Sequence, residues 1–451
     1  MFELKDLTNG NSLRRTFFIF AVPLVLASLL SQGYSTVDTI IAGKFLGSDG
    51  LAATGATAAL ISVISSIFWG FGNGLGIYIA KLFGAKDYKR LKACIYINFA
   101  LVAVAALTLS ITLIVFHDII FDWLKVDKAI RDDVFIYFSI YMSGFVFISF
   151  NQNCIYIMHA LGVSSYPFYM SAISAVLNIA GNIITIVILG LGVAGVALST
   201  VFSVLVVTVC YMLKLRKCFK EMSVGAYKIH FSGEFVKCAL PYSIPVTIQQ
   251  TIMYIASVLV SPLVNGIGSA ATAAYTVSLR IYDINATIYQ NSTKTLTNYV
   301  AQCMGAKKYS NISRGIRIGV TQSTLFVLPV LIACVLFSDQ ICGAFFSKGY
   351  SGEDLRLASD FARFFMPFVL FNLINNAFHA LCRAVKSMNL LLIATAIGSV
   401  ARVAASFIFT KYYGMYGIYI GWVAAWLAEM IFVLIIYITG KWKPEELKEG
   451  L

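Results

Sequence analysis

Residues 78–88 read YIAKLFGAKDY, and residues 299–309 read YVAQCMGAKKY. The two stretches align at an offset of 221, sharing the opening Tyr, an Ala, the Gly-Ala-Lys run and the closing Tyr. The same offset carries Leu46-Gly47-Ser48 onto Ile267-Gly268-Ser269. His159-Ala160-Leu161 recurs as His379-Ala380-Leu381 at 220, and GVAGVA (192–197) recurs as GMYGIY (414–419) at 222. Four nearly constant offsets define a duplication, and periodic self-similarity is read before any finer feature. The halves are 1–214 and 237–451, joined by a polar, basic linker at 215–236.

Composition says what the repeated unit is. Apolar residues make up 59% of the 451 and charged ones 12%, against roughly 45–50% and 25% in soluble domains. A water-soluble fold has no way to hide so much apolar surface behind a polar skin. Disorder, a coiled coil and a nucleic-acid-binding module are excluded on the same ground. Nine cysteines, with no C-x-x-C pair, sit mostly in or beside apolar runs as small hydrophobes and give neither a metal site nor a disulfide framework. The apolar stretch after Arg14-Arg15 is too long for a secretory signal.

Bilayer-crossing helices need about 20 mostly apolar residues. Twelve such runs are predicted, at 16–42, 51–76, 93–116, 133–158, 165–189, 193–213, 238–263, 270–300, 315–337, 358–382, 388–410 and 417–440. The fold class is therefore an all-α polytopic membrane protein: two six-helix lobes, TM1–TM6 and TM7–TM12, related by a pseudo-two-fold axis along the membrane normal. An even count puts both termini on one side. The loops on that side hold 23 Lys and Arg, and the opposite loops seven. Positive charge stays inside, so both termini are expected in the cytoplasm and the chain in the cell membrane. The net charge of +13 is thus mainly a topology signal. Parallel repeats of this kind suit a transporter that rocks two halves about a central cavity.

Polar groups inside the spans mark the candidate site. Asp38, Asp283 and Glu429 are acids within apolar runs, and a charge at mid-bilayer costs at least ~2.5–3.5 kcal/mol. Ser31, Gln32, Gly33, Tyr34, Ser35 and Thr36 precede Asp38 as a polar stripe. Asn178 and Asn182 are four apart, on one helical face, and Thr200 returns to a similar depth after the turn near Gly190. One carboxylate, two amides and a hydroxyl can then meet in the outer half of the N-terminal lobe. Such hard oxygens suit Na⁺, and in its absence the buried acid suits a proton. The same amides and hydroxyl would also serve as hydrogen-bonded glue between helices. Pro23, fifteen residues before Asp38, removes a backbone hydrogen bond and permits either a fixed bend or a hinge. The second half lacks this chemistry: offset 221 carries Asp38 onto Leu259. Its eighth span instead holds Arg280, Asp283 and Lys294, read as a charged stripe along the cavity or a self-neutralising pair. Arg402 and Glu429, on neighbouring spans, are expected to form a structural ion pair.

VDTIIAGKFLG (37–47), YIAKLFGAKDY (78–88), LNIAGN (177–182) and GLGVAGVALST (190–200) resemble multidrug and toxic compound extrusion (MATE) transporters, and the likeness spans essentially the whole chain. The resemblance implies an antiporter that expels organic, often cationic and amphipathic compounds in exchange for H⁺ or Na⁺. It assigns Asp38, Asn178, Asn182 and Thr200 to the cation-coupling site (the Na⁺ ligands, if sodium is used) and Pro23 to the bend of the first span. Family members with a C-lobe cation site carry acids where this chain has Gln249 and Asn372, so coupling is expected in the N lobe. Tyr34, Gln249, Arg280, Asp283, Lys294 and Asn372 are the candidate substrate-cavity residues. The implied cycle is alternating access by a monomer, with small organic substrates and membrane lipid as partners and no cofactor beyond the ion.

No G-x-x-x-x-G-K-[ST] loop is present, and the four histidines are scattered singly, without H-E-x-x-H. An ATP site and a membrane-embedded enzyme are both disfavoured. A flippase for a lipid-linked envelope precursor is the alternative, kept in view by Arg280 and Lys294.

Overall fold

The computed structural model describes residues 4–9, 12–124, 126–223, 233–346 and 352–449. The core of the expected linker, 224–232, lies outside the described residues, as do Lys125 and Lys348 and the side chains of Ser35 and Thr36. Among the described residues all regular structure is helical.

We number the long helices α1 (Leu13–Ala56), α2 (Ala58–Gly84), α3 (Tyr88–Val115), α4 (Arg131–Ser143 with Phe145–Ala160), α5 (Ser165–Asn182, extended by a wide π-type stretch Ile183–Ile188) and α6 (Gly192–Glu221). After the linker come α7 (Gly233–Ile267), α8 (Ser269–Gly305), α9 (Ser310–Leu336), α10 (Gly352–Asp360 continuing through Phe361–Phe365 and Met366–Phe368 into Val369–Ala384), α11 (Met388–Tyr413) and α12 (Met415–Ile438). Ten of these carry a segment long and apolar enough to cross a bilayer, and the two parts of α4, bent by 48°, together make an eleventh.

The remaining helix, α8, is 37 residues long but too polar for that criterion. Its polar side chains turn back onto its own backbone one turn earlier: Asn285 donates to Ile281 O (3.0 Å), Asn291 to Thr287 O (2.7 Å), Thr297 to Thr293 O (3.3 Å) and Asn298 to Lys294 O (3.0 Å). A buried polar group costs little once bonded. That is how so polar a helix sits in the apolar core of its lobe, around Ile281, Ile288 and Tyr289.

The duplicated Gly-Ala-Lys run ends α2 and α8 in the same way. Lys86 (φ 58°) and Lys307 (φ 55°) both take the left-handed conformation. The following amides then reach back five residues, Asp87 N to Leu82 O (3.0 Å) and Lys308 N to Cys303 O (2.9 Å). These bonds satisfy carbonyls that a helix end leaves open. The repeat is therefore a repeated stop signal. Helix α1 also outruns its predicted span, because Gly47 (φ 70°, ψ −164°) joins a second helical piece to the first. The apolar run from Leu51 belongs to that piece, so α2 starts later than the hydropathy predicts.

The chain divides into two compact units: Met1–Asp6 with Leu26–Thr247, and Leu7–Val25 with Ile248–Leu451. Apart from the one before Leu7, the divisions fall inside helices rather than in loops. Helix α1 passes between units two residues after Pro23, and α7 two residues after Pro245. These prolines are themselves repeat mates, at offset 222. The backbone through Pro23 keeps helical dihedrals, with Gly47 the interruption inside α1.

Candidate functional site

In the first unit, α5 and α6 approach closely because two glycines leave room. A Cβ on Gly195 would lie 2.8 Å from Thr185 Oγ1, and one on Gly181 would lie 3.0 Å from Ser199 Cβ. Thr185 uses that proximity, its hydroxyl lying 2.8 Å from Gly181 O, 3.0 Å from Gly195 O and 3.0 Å from Ser199 Oγ. The joined pair sets Asn178, Asn182 and Thr200 side by side.

Asp38, from α1, completes the group. Asn182 Nδ2 donates to Asp38 Oδ1 and, at 3.4 Å, to Asn178 Oδ1. Asn178 Nδ2 donates to Thr200 Oγ1 at 3.2 Å, and that hydroxyl donates to Val196 O at 3.0 Å. All four predicted coupling residues thus form one chain of hydrogen bonds across three helices. Asn178 and Asn182 are buried, and Asp38 is half-buried. Among the described residues no Lys or Arg pairs with Asp38. Asn182 Oδ1 is buried without a hydrogen-bond partner. Among the described residues the site therefore holds an acid without a counter-charge and an acceptor without a donor. Both are what a proton or a small hard cation would supply.

Sequence reasoning missed two neighbours. Tyr137 of α4 lies within electrostatic reach of Asp38, as Tyr34 does, and Tyr137 stacks on Tyr141 with ring centroids 6.0 Å apart. Their i,i+4 spacing was the available signal. Ser35 and Thr36 of the predicted polar stripe have side chains outside the described residues.

The second unit places its candidate residues differently. Arg280 and Asp283 are exposed, and no ion pair joins them among the described residues. Lys294 donates to Asn291 Oδ1 at 2.9 Å. Asn372 is buried and donates to both Tyr282 OH (3.0 Å) and Tyr289 OH (2.8 Å). Gln249, 1% exposed, lies inside a polar network rather than on an open wall. Its Oε1 accepts from Arg383 (3.2 Å), while its Nε2 lies 3.1 Å from Thr395 Oγ1 and 3.1 Å from His379 Nδ1.

The expected Arg402–Glu429 pair does not form. Arg402 donates to Ser257 Oγ (3.0 Å) and Tyr275 OH (3.3 Å), and its guanidinium lies over Trp422. Glu429 instead faces His379, with Nε2 to Oε1 at 2.8 Å, and accepts from Asn375 at 3.2 Å. Neighbouring spans were correctly taken to be in reach of one another, but the aromatic rings around Trp422 offer the guanidinium a face on which its charge is also stabilised.

Comparison with known proteins adds the family. The MatE family model matches residues 23–184 and 245–408, one copy in each half. The chain is similar to the probable multidrug resistance protein YoeA of Bacillus subtilis, 26% identical over 75% of this chain and 74% of that one. It is also similar to the probable multidrug resistance protein YpnP of the same organism, 23% identical over 98% of both. A solved structure described as the outward-facing conformation of a multidrug resistance MATE family transporter superposes with a TM-score of 0.89, at 21% identity over 98% of each chain; that likeness is one of fold. With the duplicated family match reaching across both halves of an all-helical, multi-pass membrane protein, the chain belongs to the MatE family of multidrug efflux transporters.

Proposed function

We propose that this chain is a secondary active antiporter that exports organic, typically cationic and amphipathic compounds in exchange for H⁺ or Na⁺ by alternating access, with Asp38 as the coupling carboxylate. The observation that carries this reading is the Asp38–Asn182–Asn178–Thr200 chain around an acid that has no basic partner among the described residues. Such an acid is neutralised by an ion from solution and is recharged when that ion leaves. Each elementary charge moved through 100 mV provides about 2.3 kcal/mol, roughly a fiftyfold gradient of cargo.

Either ion suits the residues present. A proton needs no rearrangement. Sodium would need the Asn182 amide turned over, which brings its unpartnered Oδ1 toward Asp38; the donors are then a carboxylate, two amide oxygens and a hydroxyl. The excess of Lys and Arg on one set of loops, 23 against seven, supports both termini lying at the cytoplasmic face of the cell membrane. One chain holds the whole coupling site, so a monomer suffices.

The test uses everted vesicles at fixed pH, with and without Na⁺. Adding a transported compound should drive H⁺ or Na⁺ movement, and Asp38→Asn should abolish it. Coupling that survives in Asp38→Asn overturns the assignment.

A further inference from the structure

Helices α8 and α9 pack as an antiparallel pair, and the glycines of α9 give their register. A Cβ on Gly319 would lie 3.3 Å from Leu296 Cβ, and one on Gly315 would meet the Tyr299 ring. One turn further along this seam, Ser292 of α8 faces Gln322 and Ser323 of α9. Residues three and four apart share a helical face. Ser292, Thr295 and Leu296 thus form one side of the seam, and Gly319, Gln322 and Ser323 the other. All of them lie in the second unit.

The four polar side chains at this level are turned away from their own backbone. Elsewhere in the second half, helical hydroxyls bond to the carbonyl one turn back, as Ser278 does to Ala274 O (2.8 Å), Thr297 to Thr293 O (3.3 Å) and Thr324 to Val320 O (2.9 Å). Ser292, Thr295 and Ser323 make no such bond. Their hydroxyl oxygens, together with Gln322 Oε1 and Nε2, are buried with no hydrogen-bond partner among the described residues. The three hydroxyl residues are 3%, 1% and 0% exposed. Unpaired polar groups at such depth are rare in folded proteins. The fold does not demand them here, because at offset 221 the first half has Phe71, Gly74, Leu101 and Val102.

We infer that Ser292, Thr295, Gln322 and Ser323 form a binding site for internal water, built into the α8–α9 seam. Water fits the unpaired atoms because they include both donors and acceptors: each hydroxyl is both, and the amide has one group of each kind. A metal cation would serve the oxygens and leave Gln322 Nε2 without an acceptor. It would also find no counter-charge, since α9 has no acid, Asp283 stands nine residues from Ser292, and Lys294 stands only two away. A bridging water is nearly as good as a direct hydrogen bond, and its bonds re-form as helices move. The seam can then shift by exchanging water bonds, where an interdigitated apolar seam must repack.

X-ray radiolytic labelling of the full-length protein in liposomes tests this, because hydroxyl radicals made from bound water oxidise the side chains beside it. Leu296 and Phe17, the neighbours of Gly319 on α8 and α1, are 0% and 1% exposed and out of reach of radicals from bulk solvent. They should be labelled in the wild type, and several-fold less in Ser292→Ala/Thr295→Val/Gln322→Leu/Ser323→Ala. Labelling that is absent, or unchanged in that variant, overturns the inference. Ser292→Ala alone gives a second reading. Loss of a hydroxyl bonded to water lowers the melting temperature, whereas an unpaired hydroxyl is better removed, so an unchanged or higher melting temperature overturns the inference. The melting temperature of Asp38→Asn should be the same in Na⁺ and in choline. A Na⁺-dependent rise that is lost in Asp38→Asn/Ser292→Ala would make the ligand a cation and overturn the assignment to water.

Discussion

At the scale of the residue, Asp38 depends on one amide. Asn182 Nδ2 is its hydrogen-bond donor among the described side chains, and a hydrogen bond to a charged group is worth about 1.5–3 kcal/mol. Asn182→Leu keeps the volume and deletes the polar atoms. The ion concentration giving half-maximal exchange should then shift by roughly ten- to a hundredfold, measured in the vesicle assay. Thr200→Val removes a neutral contact two bonds further along the chain and should shift it less than tenfold. Equal effects from the two substitutions would mean that the hydrogen-bond chain does not end on Asp38.

At the scale of the element, the site exists because α5 and α6 touch. Gly195→Ala inserts a methyl 2.8 Å from the Thr185 hydroxyl, and overpacking of this kind costs about 1–3 kcal/mol. The variant should unfold at a lower temperature in detergent and show weaker ion dependence, because Thr200 is carried on the displaced helix. The π-type stretch Ile183–Ile188, closed by Leu189 N to Ile184 O at 2.9 Å, begins directly after Asn182. Wide turns of that type recur at functional positions in helices. The asparagine pair was legible in the sequence because four-residue spacing puts two side chains on one face. The wide turn was not, since i→i+5 bonding leaves no mark in hydrophobic periodicity.

At the scale of the whole molecule, the duplication is expressed in backbone and in chain path. Lys86 and Lys307 end corresponding helices with the same left-handed residue. Pro23 and Pro245 stand two residues before the points where α1 and α7 pass between units. A proline frees the carbonyl one turn earlier and lowers the cost of bending there. Pro23→Ala and Pro245→Ala should each slow maximal exchange while leaving the ion concentration for half-maximal exchange within about twofold. Equal slowing by the two would show that the repeat extends to mechanism. A shift in ion affinity alone would place the effect of Pro23 at the site instead.

The sequence by itself determined the duplication, the all-helical membrane fold and the grouping of Asp38, Asn178, Asn182 and Thr200. Each of these follows from one-dimensional spacing: a constant offset, runs of about 20 apolar residues, two asparagines one turn apart. Partners that come from distant parts of the chain were decided by the tertiary structure. Glu429 lies 50 residues beyond His379, and Gln249 lies 130 before it, so no periodicity connects them. A buried charge takes whichever partner packing brings within about 3 Å, and Arg402 found aromatic rings and hydroxyls first. The orientation of a single amide was decided in the same way, by Arg383 and Thr395, which lie 134 and 146 residues from Gln249 along the chain.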